Sequence, residues 1–143
     1  GLLHDVERYM KALDAYHEGE VEPIISCFAD ALELAVVIGL RIAADVDTVL
    51  DAWRAANTDR AGSASYSLPA LLVEQPVVNV AYVADRLGIT DRAARNLIET
   101  ACERSILSKM GNAKRGAFYQ ADELIEILEE ASSLQGIRRI AAR

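Results

Sequence analysis

Aromatic residues, prolines and cysteines are all scarce in this chain of 143 residues: aromatics make up 6%, and there are three prolines and two cysteines. So few cysteines exclude a disulfide-rich secreted scaffold. Two cysteines and two histidines at distant positions match no zinc-binding spacing, so we expect neither a metal nor a cofactor. P-loop, dinucleotide-binding, nucleophile-elbow and zinc-protease motifs are also missing. The sequence therefore offers no complete catalytic site.

Long uncharged apolar runs are missing as well, and the sequence predicts no membrane span because no stretch of about 18 uncharged apolar residues occurs. Cys27 and Cys102 fall on apolar helical positions and are expected to be reduced core cysteines of a cytoplasmic protein. The first residues contain no initiator methionine and no signal peptide. We expect the sequence to be a fragment of a longer protein.

Charge is distributed unevenly along the chain. Residues 1–65 hold five basic and twelve acidic side chains, whereas residues 66–143 hold ten of each. Within the second part, residues 86–115 hold seven basic and three acidic side chains, a local surplus of four positive charges. Charge and composition thus divide the chain at the same place, and the small residues 61–65 mark the expected domain boundary.

The first half predicts a helical region, residues 1–62, that contains a helix over 5–17 and a long helix over 23–57. Apolar and small residues follow one another along the long helix at alternating steps of three and four, which is a heptad pattern that requires a helical partner. We expect this surface to be a dimer or domain interface. Its larger members are Ile25, Phe28, Leu32, Ile42, Val46, Val49 and Trp53.

The second half, residues 66–143, predicts a winged helix-turn-helix domain with a small β-hairpin. The expected order is a short helix over 68–73 capped by Ser67, a brief extended piece over 77–79, and helices over 80–87 and 91–104. Two hairpin strands over 106–109 and 118–120 and a last helix from Asp122 follow. Between the two central helices, Gly88 permits a positive φ and Thr90 is suited to cap the second helix. The fold class is therefore mostly α.

In such a domain the helix over 91–104 is the one expected to enter the DNA major groove. Arginine and asparagine suit the edges of guanine and adenine, and cations around the hairpin suit phosphates. The predicted DNA-binding residues are Thr90, Arg92, Arg95, Asn96, Lys109, Lys114 and Arg115. A purely structural or protein-binding role is the alternative, because Asp91 repels phosphate and the whole chain carries a net charge of −7.

The first twenty residues, Gly-Leu-Leu-His-Asp-Val-Glu-Arg-Tyr-Met-Lys-Ala-Leu-Asp-Ala-Tyr-His-Glu-Gly-Glu, resemble the segment that follows the active site in bacterial Fic (Fic/DOC) proteins. That segment reads Tyr-x-x-Ala-Leu-x-Ala-Tyr-Arg-x-Gly-Asp in the family. The second half is similar to the winged helix appended to many of those proteins. The resemblance implies the C-terminal portion of a protein that transfers AMP from ATP to a protein hydroxyl.

The resemblance does not extend to catalysis, because the family's motif His-x-Phe-x-(Asp/Glu)-Gly-Asn-Gly-Arg is absent from the chain. We therefore expect no enzyme in this chain itself, and the resemblance implies a catalytic Fic domain upstream that would cover part of the helical region. Exposed heptad surface favours association, so a homodimer through the long helix is also expected. The predicted function is a DNA-binding regulatory region; a protein-interaction or dimerisation module is the alternative.

Overall fold

The computed structural model describes residues 5–60, 62–112 and 116–142, and it divides the chain into two compact units. The first unit contains the described residues up to Ala44 and those from Glu129 onward, and the second contains Asp45–Leu128. The described residues form seven helices and three short strands. A mostly helical fold is confirmed. The boundary predicted at residues 61–65 falls within the second unit.

The first unit is built from α1 (Val6–His17), the first part of α2 (Glu22–Ala55) and α7 (Leu134–Ala142). Asp5 caps α1, and its side chain accepts a hydrogen bond of 3.0 Å from the backbone N–H of Arg8. Such a bond satisfies one of the N–H groups that a helix leaves unpaired at its start. The helix predicted over 5–17 is confirmed, and the long helix begins and ends within two residues of the prediction.

Helix α2 is, within the described ranges, the one helix long and apolar enough to cross a membrane by length and composition. Its most apolar 18-residue window has a mean hydropathy of 1.9, and 11% of that window is buried. A core helix of a soluble protein and a signal sequence can meet the same criteria of length and composition. The expectation that the chain has no membrane span thus stays a prediction.

The second unit contains the last part of α2 and one small sheet. Its other elements, in chain order, are α3 (Ala64–Glu74), β1 (Val77–Asn79), α4 (Val80–Leu87), α5 (Asp91–Glu103), β2 (Ser108–Met110), β3 (Phe118–Gln120) and the start of α6 (Asp122–Ser132). The sheet is antiparallel with the strand order β1-β3-β2. The sequence predicts a two-stranded hairpin and a brief extended piece over 77–79 without assigning that piece a partner; in the structure it is β1, which pairs with the edge of β3 that β2 leaves free.

Helix α3 begins earlier than the sequence indicated. Ser63 is its N-cap, and Pro69 lies inside the helix rather than in its first turn. The expected cap at Ser67 was wrong. The hydroxyl groups of Ser63 and Ser65 are hydrogen-bonded at 2.6 Å, and Asn57 donates to the Ser65 hydroxyl at 3.2 Å. Polar contacts with the preceding loop thus fix the start of α3, and local sequence does not reveal them.

One apolar core holds the second unit together. Its helices and β1 contribute buried side chains, Tyr119 of β3 packs against them, and Ile106 and Leu107 contribute from the segment before β2. Trp53 donates a hydrogen bond of 2.6 Å from Nε1 to Oε2 of Glu123, so the polar atom of this buried ring is satisfied. The buried members are Leu50, Trp53, Leu68, Leu71, Leu72, Val78, Val83, Ala84, Ala94, Ile98, Ala101, Ile106, Leu107, Ala121 and Leu124.

Helix α7 at the end of the chain was not predicted from the sequence. Gly136 is buried in this helix, and a Cβ atom added there would lie 1.9 Å from the backbone oxygen of Glu130. The Arg41 guanidinium donates to the Ile140 carbonyl. Close backbone approach at Gly136 and the hydrogen bond from Arg41 therefore anchor α7 within the first unit. Arg139 Nε of α7 also lies 3.9 Å from Glu130 Oε1.

Both cysteines are free thiols: Cys27 is buried and Cys102 half-buried. Burial, and next the nearby Glu99 carboxylate, raise the pKa of the Cys102 thiol above its ordinary value. A raised pKa disfavours the reactive thiolate. The residues that the structure describes thus agree with two structural cysteines.

Candidate nucleic-acid interface

Helices α4 and α5 pack against each other across a tight turn. Asn79 caps α4 by accepting a 2.9 Å hydrogen bond from the N–H of Tyr82. Gly88 ends α4 with φ 62° and ψ 35°, the left-handed conformation that glycine adopts at no steric cost. Thr90 then caps α5 by accepting a 3.2 Å hydrogen bond from the N–H of Ala93. The predicted turn chemistry at Gly88 and Thr90 is confirmed.

Helix α5 has one buried and one exposed face. Ala94, Ile98 and Ala101 are the buried residues, at steps of four and three. The opposite face exposes the predicted residues Arg92, Arg95 and Asn96, together with the cap Thr90. Residues at steps of three and four share a helix face, so burial of the alanines and Ile98 forces the cations outward. The second unit thus exposes one polar face of α5.

Lys109 and Arg95 are brought together, although they are separated in sequence. Lys109 lies on β2 opposite Tyr119 of β3. Both cationic residues line a cavity of about 310 Å³ between α5 and the sheet. The remaining lining residues are Asn79, Val80, Ala81, Asp91, Gly116, Ala117 and Tyr119. Thr90, Arg92 and Asn96 do not line this cavity. The cavity combines two cations with one carboxylate, so it suits an anionic group better than a neutral one.

Asn79 and Tyr119 also line this cavity, and neither was predicted from the sequence to have a functional role. Local sequence predicts only an extended piece at Asn79 and a returning strand at Tyr119. Pairing of β1 with β3 places Asn79 opposite Phe118, next to Tyr119. This strand pairing is a long-range contact, and neither local propensity nor helical spacing signals it.

The positive surplus predicted over 86–115 is smaller where the structure describes it. Arg86 is paired with Glu74 at 2.6 Å, and Arg104 with Asp59 at 3.2 Å. Within residues 86–112 this leaves Arg92, Arg95 and Lys109 as cations without an ion-pair partner. They are matched in number by Asp91, Glu99 and Glu103. Lys114 and Arg115, two further predicted DNA-binding residues, lie outside the described residues.

Arg104 instead joins a polar cluster at the end of α5. Its guanidinium donates to Asn57 Oδ1 at 3.3 Å and to Asp59 Oδ1 at 3.2 Å. A hydrogen bond with Ser65, followed by that with Arg104, lowers the pKa of the Asp59 carboxyl below its ordinary value. Such pairing stabilises the charged carboxylate. The cluster ties the loop before α3 to α5 and takes Arg104 out of any ligand surface.

The predicted interface residues of α2 do not share one environment. Ile25, Phe28 and Leu32 are exposed, with Leu32 at 66%. Ile42 is half-buried. Val46, Val49 and Trp53 pack in the core of the second unit. A continuous heptad pattern therefore contains two segments, one covered within its own unit and one uncovered. Dimerisation through the long helix stays a prediction.

The described residues contain no group of three or more side chains that is suited to hold a metal ion. Comparisons with protein-family models and with curated proteins gave no match to this chain. The resemblance to Fic proteins thus stays a prediction that rests on the residues quoted for it.

Proposed function

We propose that the second unit is a winged helix-turn-helix module that binds DNA through α5. Helices α4 and α5 would form the helix-turn-helix, and β2 and β3 the wing. The observation that carries the proposal is the exposed face of α5, which bears Arg92, Arg95 and Asn96 and on which Arg95 shares a cavity with Lys109 of the sheet. Arginine and asparagine can each form paired hydrogen bonds with base edges.

Arg95 and Lys109 have separate roles in this proposal. Arg95 lies one helical turn into α5, where residues of a recognition helix reach base edges. Lys109 lies on the neighbouring strand and supplies a phosphate contact, which carries no sequence information but fixes the position of the protein. Asp91 lines the same cavity and opposes both contacts. DNA binding entails a cytoplasmic location in a bacterial cell.

The proposal is tested by fluorescence anisotropy with a labelled duplex of mixed sequence at several salt concentrations. Affinity falls steeply with salt, because binding releases counterions from the phosphates. Arg95→Ala weakens binding by about 1–3 kcal/mol if it contacts a base, and Lys109→Ala reduces the salt slope by about one. Arg54→Ala is the matched control, since Arg54 lies on α2 and pairs with Asp51.

Asp91→Asn separates a loss of fold from a loss of contact. This substitution removes a negative charge beside Arg95 and Lys109, so DNA binding becomes tighter although α5 loses a favourable charge at its N-terminus. If the anisotropy of the labelled duplex does not change at low salt and tens of micromolar protein, the proposal is rejected.

We further propose, on the resemblance alone, that the chain is the C-terminal regulatory region of a Fic-family protein. No catalytic step is assigned to its own residues. A His-x-Phe-x-(Asp/Glu)-Gly-Asn-Gly-Arg string encoded directly upstream of Gly1 supports this assignment, and a different or absent upstream domain refutes it.

The second candidate function is a protein-interaction or dimerisation module. It is favoured by the exposed apolar residues on α1 and the first part of α2, among them Ile25, Phe28 and Leu32. Large contiguous patches of exposed apolar surface usually mark interaction sites.

A further inference from the structure

Helices α1 and α2 of the first unit enclose an open apolar groove. Its volume is about 590 Å³. Tyr9 and Phe28 meet edge to face in it, with ring centroids 6.5 Å apart. The lining residues are Tyr9, Leu13, Tyr16, Ile24, Ile25, Phe28, Ala29 and Leu32. No side chain with a formal charge lines the groove, so it suits an apolar surface.

The exposed apolar surface continues along α2 beyond the groove. Leu32, Val36 and Leu40 follow Ile25 and Phe28 at steps of three and four and are all exposed, Leu40 by 68%. From Ile25 to Leu40 the helix rises by about 22 Å at 1.5 Å per residue. A small ligand does not cover such a length. The same steps on a second helix would cover it, since helices pack through residues spaced in this way.

The charges around the groove define the partner more closely. The three cations of α1 and of α2 up to Ala44 are all engaged: Arg8 with Asp30, Lys11 with Glu7, and Arg41 with the Ile140 carbonyl. Five carboxylates of residues 5–44, on these two helices and the turn between them, have no hydrogen-bond or ion-pair partner among the described residues. They are Asp14, Glu18, Glu20, Glu22 and Glu33.

Two of these carboxylates lie directly beside the groove. Glu22 is one helical turn from Ile25, and Glu33 is one turn from Ala29. Glu20 and Glu22 also line a neighbouring cavity of about 470 Å³ with Val21, Pro23 and Ser26. An apolar floor with an acidic rim matches an amphipathic helix that carries lysine or arginine beside its apolar face.

We propose that the groove between α1 and α2 binds a cationic amphipathic helix of a partner protein. Its apolar residues lie against Ile25, Phe28 and Leu32, and its basic residues lie near Glu22 and Glu33. A second copy of the chain would bring the same unpaired carboxylates together, and like charges across an interface oppose association. The inference rests on the second candidate function, names its partner by chemistry, and does not depend on DNA binding.

The experiment uses the whole chain and two labelled synthetic peptides of about 18 residues, long enough to follow the exposed row of α2. Both peptides have leucines at heptad positions; one has lysines and the other glutamates at the flanking positions. In anisotropy titrations the lysine peptide binds at least about tenfold tighter, and added salt reduces this difference. Equal affinity of the two peptides overturns the cationic partner and leaves the second candidate function standing.

Two protein variants locate the binding surface. Leu32→Asp abolishes binding of the lysine peptide, whereas Leu128→Asp, which alters another exposed leucine, on α6, leaves it unchanged. The double variant Glu22→Gln, Glu33→Gln binds the lysine peptide several-fold more weakly than the parent protein does. Its affinity for the glutamate peptide is not reduced. Circular dichroism of each variant confirms the fold. A lysine peptide that binds Leu32→Asp as tightly as the parent overturns the assignment to this groove.

Light scattering and vesicle sedimentation test the competing occupants. The proposal expects a monomer at tens of micromolar that does not sediment with phosphatidylcholine vesicles. A dimer or vesicle binding that Leu32→Asp abolishes overturns it, because the groove is then filled by a second copy or by lipid. If neither peptide binds and the chain is monomeric, the second candidate function fails as well.

Discussion

The two units of this chain differ in how they treat apolar residues. Within the described residues, Asp45–Leu128 buries fifteen apolar side chains in one core, and five of its large apolar residues are exposed. The other unit buries four apolar residues and exposes ten large ones. Buried apolar area is the main favourable term in folding. The difference indicates that the second unit is complete as a folding unit, whereas the first has apolar surface for a partner.

Helix α2 makes this comparison within one element, because it begins in the first unit and ends in the second. Phe28 and Leu32 near its start are exposed, whereas Val49 and Trp53 near its end belong to the core of the second unit. All four follow the same heptad steps. The heptad pattern indicates which residues require a packing partner. It does not indicate whether that partner belongs to the same chain.

The largest expected change in the free energy of unfolding comes from a leucine-to-alanine substitution, made once in each unit. Leu72→Ala removes a fully buried side chain and lowers the free energy of unfolding by about 2–5 kcal/mol, whereas Leu32→Ala changes it by about 0.5 kcal/mol or less. Denaturant unfolding is followed by the fluorescence of Trp53, the only tryptophan, which reports on the second unit, and by circular dichroism. A large, concentration-dependent effect of Leu32→Ala would show that its surface is covered in solution by a second copy.

Glycine-to-alanine substitutions in the first unit are expected to change the free energy of unfolding by a smaller amount. Gly136→Ala places a methyl group against the Glu130 carbonyl and costs about 1–3 kcal/mol through forced displacement. Gly39→Ala on α2 is the control, since nothing lies within 4 Å of its Cβ position. It stabilises by roughly 0.5–1 kcal/mol, because alanine favours the helix. Thermal unfolding measures both, and a neutral Gly136→Ala would disprove the close packing of α7.

The smallest effect concerns pH and the second unit alone. The pKa of Asp59 is lowered in the folded state, so its stabilising contribution is fully present above the ordinary value of 3.8 and is lost as the pH falls through the lower folded-state value. Asp59→Asn removes this part of the acid dependence. Melting temperatures of both proteins between neutral and acid pH check it. Parallel pH profiles would show that the contacts with Ser65 and Arg104 do not hold in solution.

Much of the candidate interface could be predicted from local sequence. Gly88 and Thr90 determine the turn through backbone conformation and capping, and the steps between Ala94, Ile98 and Ala101 determine which face of α5 is exposed. Arg104 shows the limit of this reasoning. It is one of the seven basic residues of the positive stretch 86–115, yet its guanidinium is bound by Asn57 and Asp59. Which cations are free depends on neighbours distant in sequence.

The sequence by itself determined that helices α1 to α6 exist, the caps at Asp5 and Thr90, and the two hairpin strands, because these follow from interactions between residues a few positions apart; it predicted neither α7 nor the start of α3. Only the tertiary structure decided that β1 joins β3, that Arg95 and Lys109 share a cavity, and that α2 is covered at one end and bare at the other. These outcomes depend on pairing and packing between distant segments, and residue types along a single helix or strand do not specify which segments meet.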